Sequence, residues 1–95
     1  MLTHLVCFKY KPDTSEAQRT DHLARLKRLA SLGGVVDLKV GRDVVGSARS
    51  YDAGLVVLFP DRAALDAYSK DPQHLPVVQL AASLCDHIVA VDFEN

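Results

Sequence analysis

The order of strand and helix patterns along the chain is the feature that most restricts its fold. An alternating apolar segment at Leu2–Tyr10 predicts a strand, and apolar residues at helical spacing as far as Leu32 predict an amphipathic helix. Strand patterns follow at Val35–Val45 and Tyr51–Phe59, then a helix in two pieces and a last strand at Cys85–Glu94. This order is that of the ferredoxin-like fold. We therefore predict an α+β fold, βαββαβ, with a four-stranded antiparallel sheet and both helical regions on one face, since both crossovers are right-handed.

Several positions mark where these elements begin, break or bend. Asp13 or Thr14 can cap the first helix, and Ser15 followed by Gln18 resembles a capping box. Asp61 is a suitable cap for the second helical region. Asp71-Pro72 interrupts that region, because proline disfavours helical geometry in the residue before it. Gly41 lies inside the second strand, where a glycine indicates either a bulge or a close approach of another group to the backbone.

Composition and charge exclude several classes of function. The formal net charge is −1 over 95 residues, so the chain lacks the cationic surface that binds nucleic acid or anionic membranes. No segment approaches the roughly 20 apolar residues of a membrane span, and the first residues lack the basic region of a signal peptide. Cys7 and Cys85 belong to no Cys/His cluster, so we expect no metal site. We expect one cytoplasmic domain, residues 1–95.

The apolar residues of the sheet predict a homodimer. The helices cover one face, yet the first, third and last strands carry apolar residues on both faces. A bare apolar face of four strands exceeds the area, roughly a few hundred square ångströms, that soluble monomers usually expose. We therefore expect two copies to pack their helix-free faces together about a two-fold axis.

The break in the second helical region carries the side chains that are best suited to chemistry. Tyr68 and His74 lie on either side of Asp71-Pro72, so the turn can bring a phenol and an imidazole to one cavity mouth. A histidine accepts a proton near neutral pH, and a tyrosine hydroxyl can orient a carbonyl group. The structural alternative is that Tyr68 packs on the core and His74 bonds the backbone of the turn.

The first strand supplies the candidate ligand-binding residues. Strand alternation places His4, Val6 and Phe8 on one face, and we expect them to line a small-ligand pocket. If that face is the helix-free one, His4 points into the space between the two sheets of the dimer. His22 lies on a helix rich in charged residues, so we expect it to be exposed to solvent.

Five segments, in order along almost the whole chain, resemble the stress-responsive α/β-barrel (Dabb) domain family. They are HLVCFKYKPDTS, GGVVDLKVGRDV, RSYDAGLVVLF, LDAYSKDPQHLPVV and IVAVDFEN. The resemblance implies a cofactor-free dimeric barrel of ferredoxin-like protomers, in a family most of whose members have no settled activity.

Plant polyketide cyclases of the olivetolic acid type resemble this chain more distantly and suggest one activity. These enzymes close a linear polyketide by an aldol step, and their catalytic tyrosine and histidine match Tyr68 and His74, while a pocket histidine matches His4. The charged Ser69–Asp71 segment departs from the mainly apolar one of the cyclase, so the same long apolar substrate does not follow. Two alternatives stay open: an antibiotic-biosynthesis-type monooxygenase that oxidises a phenol without a cofactor, and a non-enzymatic ligand-binding or associating protein.

Overall fold

The computed structural model describes residues 1–95 as a four-stranded antiparallel sheet with three helices on one face. The strands are β1 (Leu2–Tyr10), β2 (Asp37–Arg42), β3 (Ala53–Phe59) and β4 (Cys85–Glu94). The helices are α1 (Glu16–Arg28), α2 (Arg62–Lys70) and α3 (Leu75–Leu84). No helix is long and apolar enough to cross a membrane.

The strands follow the spatial order β2-β3-β1-β4, and all three neighbouring pairs are antiparallel. The ferredoxin-like order predicted from the sequence is therefore confirmed. The second strand is shorter than the predicted Val35–Val45, and the third begins at Ala53 rather than Tyr51. The apolar pair Val44 and Val45 lies in an exposed loop, because the Asp43 carboxylate accepts backbone hydrogen bonds there and turns the chain away from the sheet.

The helices α1 and α2 begin at predicted capping motifs, α1 at Ser15 rather than at Asp13 or Thr14. Ser15 and Gln18 form the capping box of α1, and the Asp61 carboxylate accepts a hydrogen bond from the backbone of Ala64 at the start of α2. The first helix ends at Arg28, earlier than the predicted Leu32, and a single 3₁₀ turn follows it. The second helical region is divided into α2 and α3, as the Asp71-Pro72 break predicts.

The core lies between the sheet and the helices. Val57 and Phe59 of β3 are fully buried there, at the centre of a cluster of 16 buried hydrophobic residues. The face that carries His4, Val6 and Phe8 is this helix-covered face. The condition under which His4 would point between the sheets of a dimer is therefore not met, because the even-numbered positions of β1 face the helices and the odd-numbered ones face away.

The expectation that His22 is exposed is also wrong. The residue is completely buried, although its helix carries many charged side chains. Its Nδ1 atom forms a hydrogen bond of 2.7 Å with the Tyr10 hydroxyl, and its ring meets the Phe8 ring edge to face at 4.8 Å. The aromatic contacts and the hydrogen bond place His22 on the inward face of α1, where an apolar residue would be expected.

The other face of the sheet has no helix over it. Paired residues in an antiparallel sheet share a face, so the strand register identifies its members. Its apolar side chains come from β1, β3 and β4: Leu5, Cys7, Val56, Leu58, Val89, Val91 and Phe93. The β4 members Val89, Val91 and Phe93 are 48%, 57% and 43% exposed.

Candidate functional site

A cavity of about 210 Å³ lies between the sheet and the helices α1 and α3. Nine of its eleven lining residues are hydrophobic, and the other two are His4 and His74. The structure thus brings His4, Val6 and Phe8 of β1 together with His74 at a single cavity. The remaining lining residues are Leu26, Leu55, Val77, Val78, Ala81, Ile88 and Ala90.

His4 is held by a carboxylate on the neighbouring strand. The register of β1 and β4 places His4 directly opposite Asp92, and Nδ1 of the imidazole is hydrogen-bonded to the Asp92 carboxylate. A carboxylate only accepts hydrogen bonds, so Nδ1 donates and Nε2 is the nitrogen that remains for other partners. The side chain of His4 is largely buried and that of Asp92 is partly exposed, so the pair runs from solvent towards the cavity.

His74 is fixed at the start of α3 by the turn before it. Its backbone N–H donates to the Asp71 carbonyl at 2.9 Å, and the Asp71 carboxylate accepts from the backbone of Gln73 at 2.8 Å. Nδ1 of His74 lies 3.5 Å from the carbonyl oxygen of Ser69, which only accepts. This contact assigns the proton of the neutral ring to Nδ1 and leaves Nε2 as the acceptor.

The environment of His74 favours the neutral imidazole. Burial lowers the pKa of His74 below its ordinary value, and the nearby His4 acts in the same direction. The Ser69 carbonyl and Asp71 oppose this change in pKa. A helix N-terminus also disfavours positive charge. At neutral pH, His74 can therefore accept a proton on Nε2.

Tyr68 of α2 packs against both histidines. Its ring lies 4.3 Å from that of His74 and meets His4 edge-on at 6.1 Å, with Phe59 at 5.0 Å. The residue is only 1% exposed and lies behind the cavity wall rather than on it. Burial raises the pKa of Tyr68 to about 12, so the phenol stays protonated at neutral pH. Its hydroxyl has no hydrogen-bond partner within the protein.

The polar end of the cavity therefore combines two imidazoles with a protonated phenol behind them. The turn brings Tyr68 and His74 into contact, as its spacing predicts. Tyr68 also packs on the core and His74 contacts the backbone carbonyl of Ser69, both as in the structural alternative. Such a site can hold a mainly apolar molecule by its hydroxyl or carbonyl group. His74 is placed to take a proton, and Tyr68 can only donate one.

Asp92 is the member of this site that sequence reasoning missed. Strand alternation places Asp92 on the same face as Ile88 and Ala90, and both of these line the cavity. Alternation does not give the register between two strands that are distant in sequence. The pairing of Asp92 with His4 is therefore visible only once β4 is aligned on β1.

The comparisons with known proteins agree with this architecture. The family model described as Stress responsive A/B Barrel Domain matches residues 2–95. A curated stress-response A/B barrel domain-containing protein of Arabidopsis thaliana is 28% identical over 95 residues. That alignment covers 98% of this chain and 36% of the relative, so the chain spans about a third of the relative's length.

Two solved structures share the fold over nearly the whole chain. One is a dimeric ferredoxin-like protein of unknown function from Jannaschia sp. CCS1, with 30% identity, a TM-score of 0.84 and coverage of 99% of this chain and 98% of that one. The other is hydroxynitrile lyase from Passiflora edulis, with 20% identity, a TM-score of 0.87 and coverage of 97% and 90%. At 20% identity, the similarity to the lyase shows the fold alone.

The sheet order, the helix layer and the cavity define a ferredoxin-like α+β protein. The match over residues 2–95 places the chain within that class: it belongs to the Stress responsive A/B Barrel Domain (Dabb) family, as its five ordered segments predict. Family membership specifies the fold and leaves the activity open, because a function depends on the site rather than on the fold.

Proposed function

We propose that this chain binds a small, mainly apolar molecule with one hydroxyl or carbonyl group in the cavity between sheet and helices. The observation that carries this proposal is the composition of the cavity wall, which is hydrophobic except for His4 and His74. An apolar pocket with a few convergent polar groups is typical of small-ligand sites. The apolar wall would bind the body of the ligand, and the two imidazoles would orient its polar group.

The size of the cavity restricts the ligand to about one ring. An apolar cavity of about 150 Å³ is large enough for benzene, whereas pockets for drug-sized ligands range from about 300 to 1,000 Å³. The 210 Å³ observed here suits a single aromatic ring with a short substituent. This volume favours a small phenol or cyclic ketone over a long linear polyketide.

A cofactor-free aldol reaction is the second candidate function, and the contact between Tyr68 and His74 favours it. In that reaction Nε2 of His74 would take a proton from the carbon next to one carbonyl group, and the resulting enolate carbon would attack a second carbonyl carbon. The new alkoxide would then take the proton back from His74. The Tyr68 hydroxyl, which the raised pKa of about 12 keeps protonated, would have to turn from behind the cavity wall to donate a hydrogen bond to the carbonyl. His4, held by Asp92, would line the pocket beside them. No specific contact favours a monooxygenase over this reaction.

The test is an NMR titration of the four histidines with single-ring phenols and cyclic ketones. We expect the His4 and His74 signals to shift together, while the exposed His87 serves as the internal control. Tyr68→Phe should weaken the effect if the hydroxyl contacts the ligand. Unchanged His4 and His74 signals across the whole ligand set would contradict the ligand-binding proposal. Substrate turnover that is lost in His74→Ala would support the aldol reaction.

We also propose that the chain forms a homodimer through its helix-free face. Seven apolar side chains lie on that face, and three of them on β4 are about half exposed. The relative from Jannaschia is described as dimeric, which supports the same assembly here. A monomer mass by light scattering at micromolar concentration would contradict this proposal.

A further inference from the structure

Gly41 of β2 and Gly54 of β3 pair directly with each other, and no contact within the chain explains either glycine. Neither has a positive φ, so neither backbone conformation requires glycine. A Cβ at Gly41 would meet nothing within 4 Å, and one at Gly54 would make an ordinary contact of 3.9 Å with the Val6 carbonyl oxygen. Both positions would accept a side chain, and glycine in a strand interior weakens the strand.

The alternatives for Gly41 were a bulge or a close approach to the backbone. The pairing of β2 with β3 continues without a shift of register from Asp37 to Arg42, so there is no bulge at Gly41. Nothing in the same copy lies within 4 Å of where a Cβ at Gly41 would be, so a close approach would have to come from outside the chain.

The two glycines open a hollow of about 330 Å³ on the helix-free face. Strand register places them in one cross-strand row, Gly41, Gly54, Cys7 and Val89, that runs across the whole sheet. The row begins with the hollow at the β2 edge and ends with the exposed side chain of Val89 at the β4 edge. The hollow is lined by Cys7, Gly41, Arg42, Asp43, Tyr51, Ala53 and Gly54.

We propose that this hollow receives β4 of a second copy, in the homodimer proposed above, on which this inference rests. The hollow lies near one edge of the sheet, and the protruding Val89, Val91 and Phe93 lie at the other edge. A two-fold axis parallel to the strands and between the two sheets brings β4 of each copy over β2 and β3 of its partner. Because the dimer is symmetric, the contact forms twice: the β4 side chains of each copy fill the hollow of the other.

The sizes of the groups agree with this contact. Packed sheets lie about 10 Å apart when side chains fill the space between them. Where two paired residues lack side chains, a side chain from the opposite sheet can reach the backbone itself. Val89 lies in the same row as the glycines, so an axis parallel to the strands makes it the side chain nearest to the hollow of the other copy.

The test is to fill the hollow and measure dimerisation by sedimentation equilibrium. Gly41→Val and Gly54→Val should raise the dimer dissociation constant about tenfold or more, because an extra side chain in a filled contact is strongly unfavourable. Gly33→Val is the matched control, since a Cβ there also meets nothing within 4 Å but lies in the turn after α1. Val89→Ala should restore dimerisation in the Gly41→Val background, because the axis places Val89 of the partner opposite Gly41.

The outcomes separate this inference from the dimer proposal. A monomeric wild-type chain would overturn the dimer itself. A wild-type dimer that Val91→Lys disrupts and the two glycine variants leave unchanged would keep the dimer and overturn the filled hollow. Failure of Val89→Ala to rescue a monomeric Gly41→Val would overturn the contact with β4.

Alkylation of Cys7 gives a second measurement that needs no glycine variant. Burial raises the pKa of Cys85 to about 11, so that thiol reacts slowly with a maleimide. Alkylation then occurs mainly at Cys7, which lines the hollow. We expect a bulky maleimide to react with Cys7 in the dilute, monomeric protein and the product to remain monomeric on concentration. An alkylated chain that dimerises as well as the wild type would overturn the inference.

Discussion

At the scale of single residues, the two buried tyrosines differ in what their hydroxyl groups do. The Tyr10 hydroxyl is bonded to His22, whereas the Tyr68 hydroxyl has no partner within the protein. Tyr68→Phe should leave the free energy of unfolding unchanged or raise it by up to about 1 kcal/mol, because it removes an unsatisfied polar group. Tyr10→Phe, the matched comparison, should lower it by about 1–3 kcal/mol, since Nδ1 of His22 loses its partner. Urea denaturation measures both, and equal losses would show that the Tyr68 hydroxyl is satisfied.

The burial of His22 gives stability a defined dependence on pH. Burial lowers the pKa of His22 below 6.5, while in the unfolded chain the imidazole titrates at its ordinary value. Between these two pKa values the unfolded state binds a proton that the folded state does not, so the free energy of unfolding falls as the pH drops below about 6.5. His74 contributes with the same sign.

We therefore expect the urea midpoint to decrease between about pH 7.5 and about pH 5.5, and to decrease less in His22→Phe than in the wild type. Phenylalanine keeps an aromatic ring against Phe8 and does not titrate. The slope with pH is the readout, because the substitution also removes the hydrogen bond to Tyr10 and so changes the absolute stability. The same slope in both proteins would show that other groups determine the acid sensitivity.

The individual site residues show what a sequence can and cannot reveal. The spacing of Tyr68 and His74 around a proline break is a local signal, and their ring contact follows from it. The burial of His22 and the pairing of His4 with Asp92 depend on where distant elements pack. A charged helix surface surrounds His22 in sequence, so its inward orientation becomes evident only from its contacts with β1.

At the scale of elements, the turn between α2 and α3 determines where His74 stands. The Asp71 carboxylate accepts the Gln73 N–H, and the Asp71 carbonyl accepts the His74 N–H. Asp71→Ala should cost about 1 kcal/mol of stability through the lost hydrogen bond and weaken the His74 response to ligand. Asp66→Ala is the control, because its exposed ion pair with Arg62 is worth less than about 0.5 kcal/mol. An undiminished ligand response in Asp71→Ala would show that the turn holds His74 without this carboxylate.

The elements themselves were largely predictable, because their signals are local. The capping box at Ser15 and the cap at Asp61 are short motifs, and both form as predicted. The end of β2 was misplaced because Val44 and Val45 continue the apolar pattern of the strand. Asp43 ends the strand because its carboxylate accepts hydrogen bonds from the backbone of Val45 and Gly46. The pattern of apolar residues contains no sign of these bonds.

At the scale of the whole molecule, the two faces of the sheet carry the features on which the two proposals rest. One face, with the helices, encloses the cavity with His4 and His74, and the other carries the apolar side chains proposed for the dimer. The alternation of β1 places consecutive residues on opposite faces, so His4 lines the cavity and Leu5 lies on the face proposed for the dimer. A variant on one face should therefore leave the other function intact.

This separation predicts that dimerisation can be removed without unfolding the cavity. Val91→Lys places a charge at the proposed interface, where burying it unpaired is unfavourable, and it should give a monomer. Leu75→Lys is the matched control, since Leu75 of α3 is 48% exposed, close to the 57% of Val91, and lies in the helix layer. Because association stabilises the folded state by mass action, the wild-type Tm should rise with protein concentration and that of Val91→Lys should not.

Calorimetry over a wide range of protein concentration measures this difference directly. Leu75→Lys should keep the concentration dependence of the wild type, and Val91→Lys should keep the NMR response of His74 to ligand. A Tm independent of concentration in the wild type, together with a monomer mass, would mean that the apolar face is exposed in solution. A lost His74 response in a folded Val91→Lys monomer would show that the two faces act together, because the cavity then needs the dimer to keep its shape.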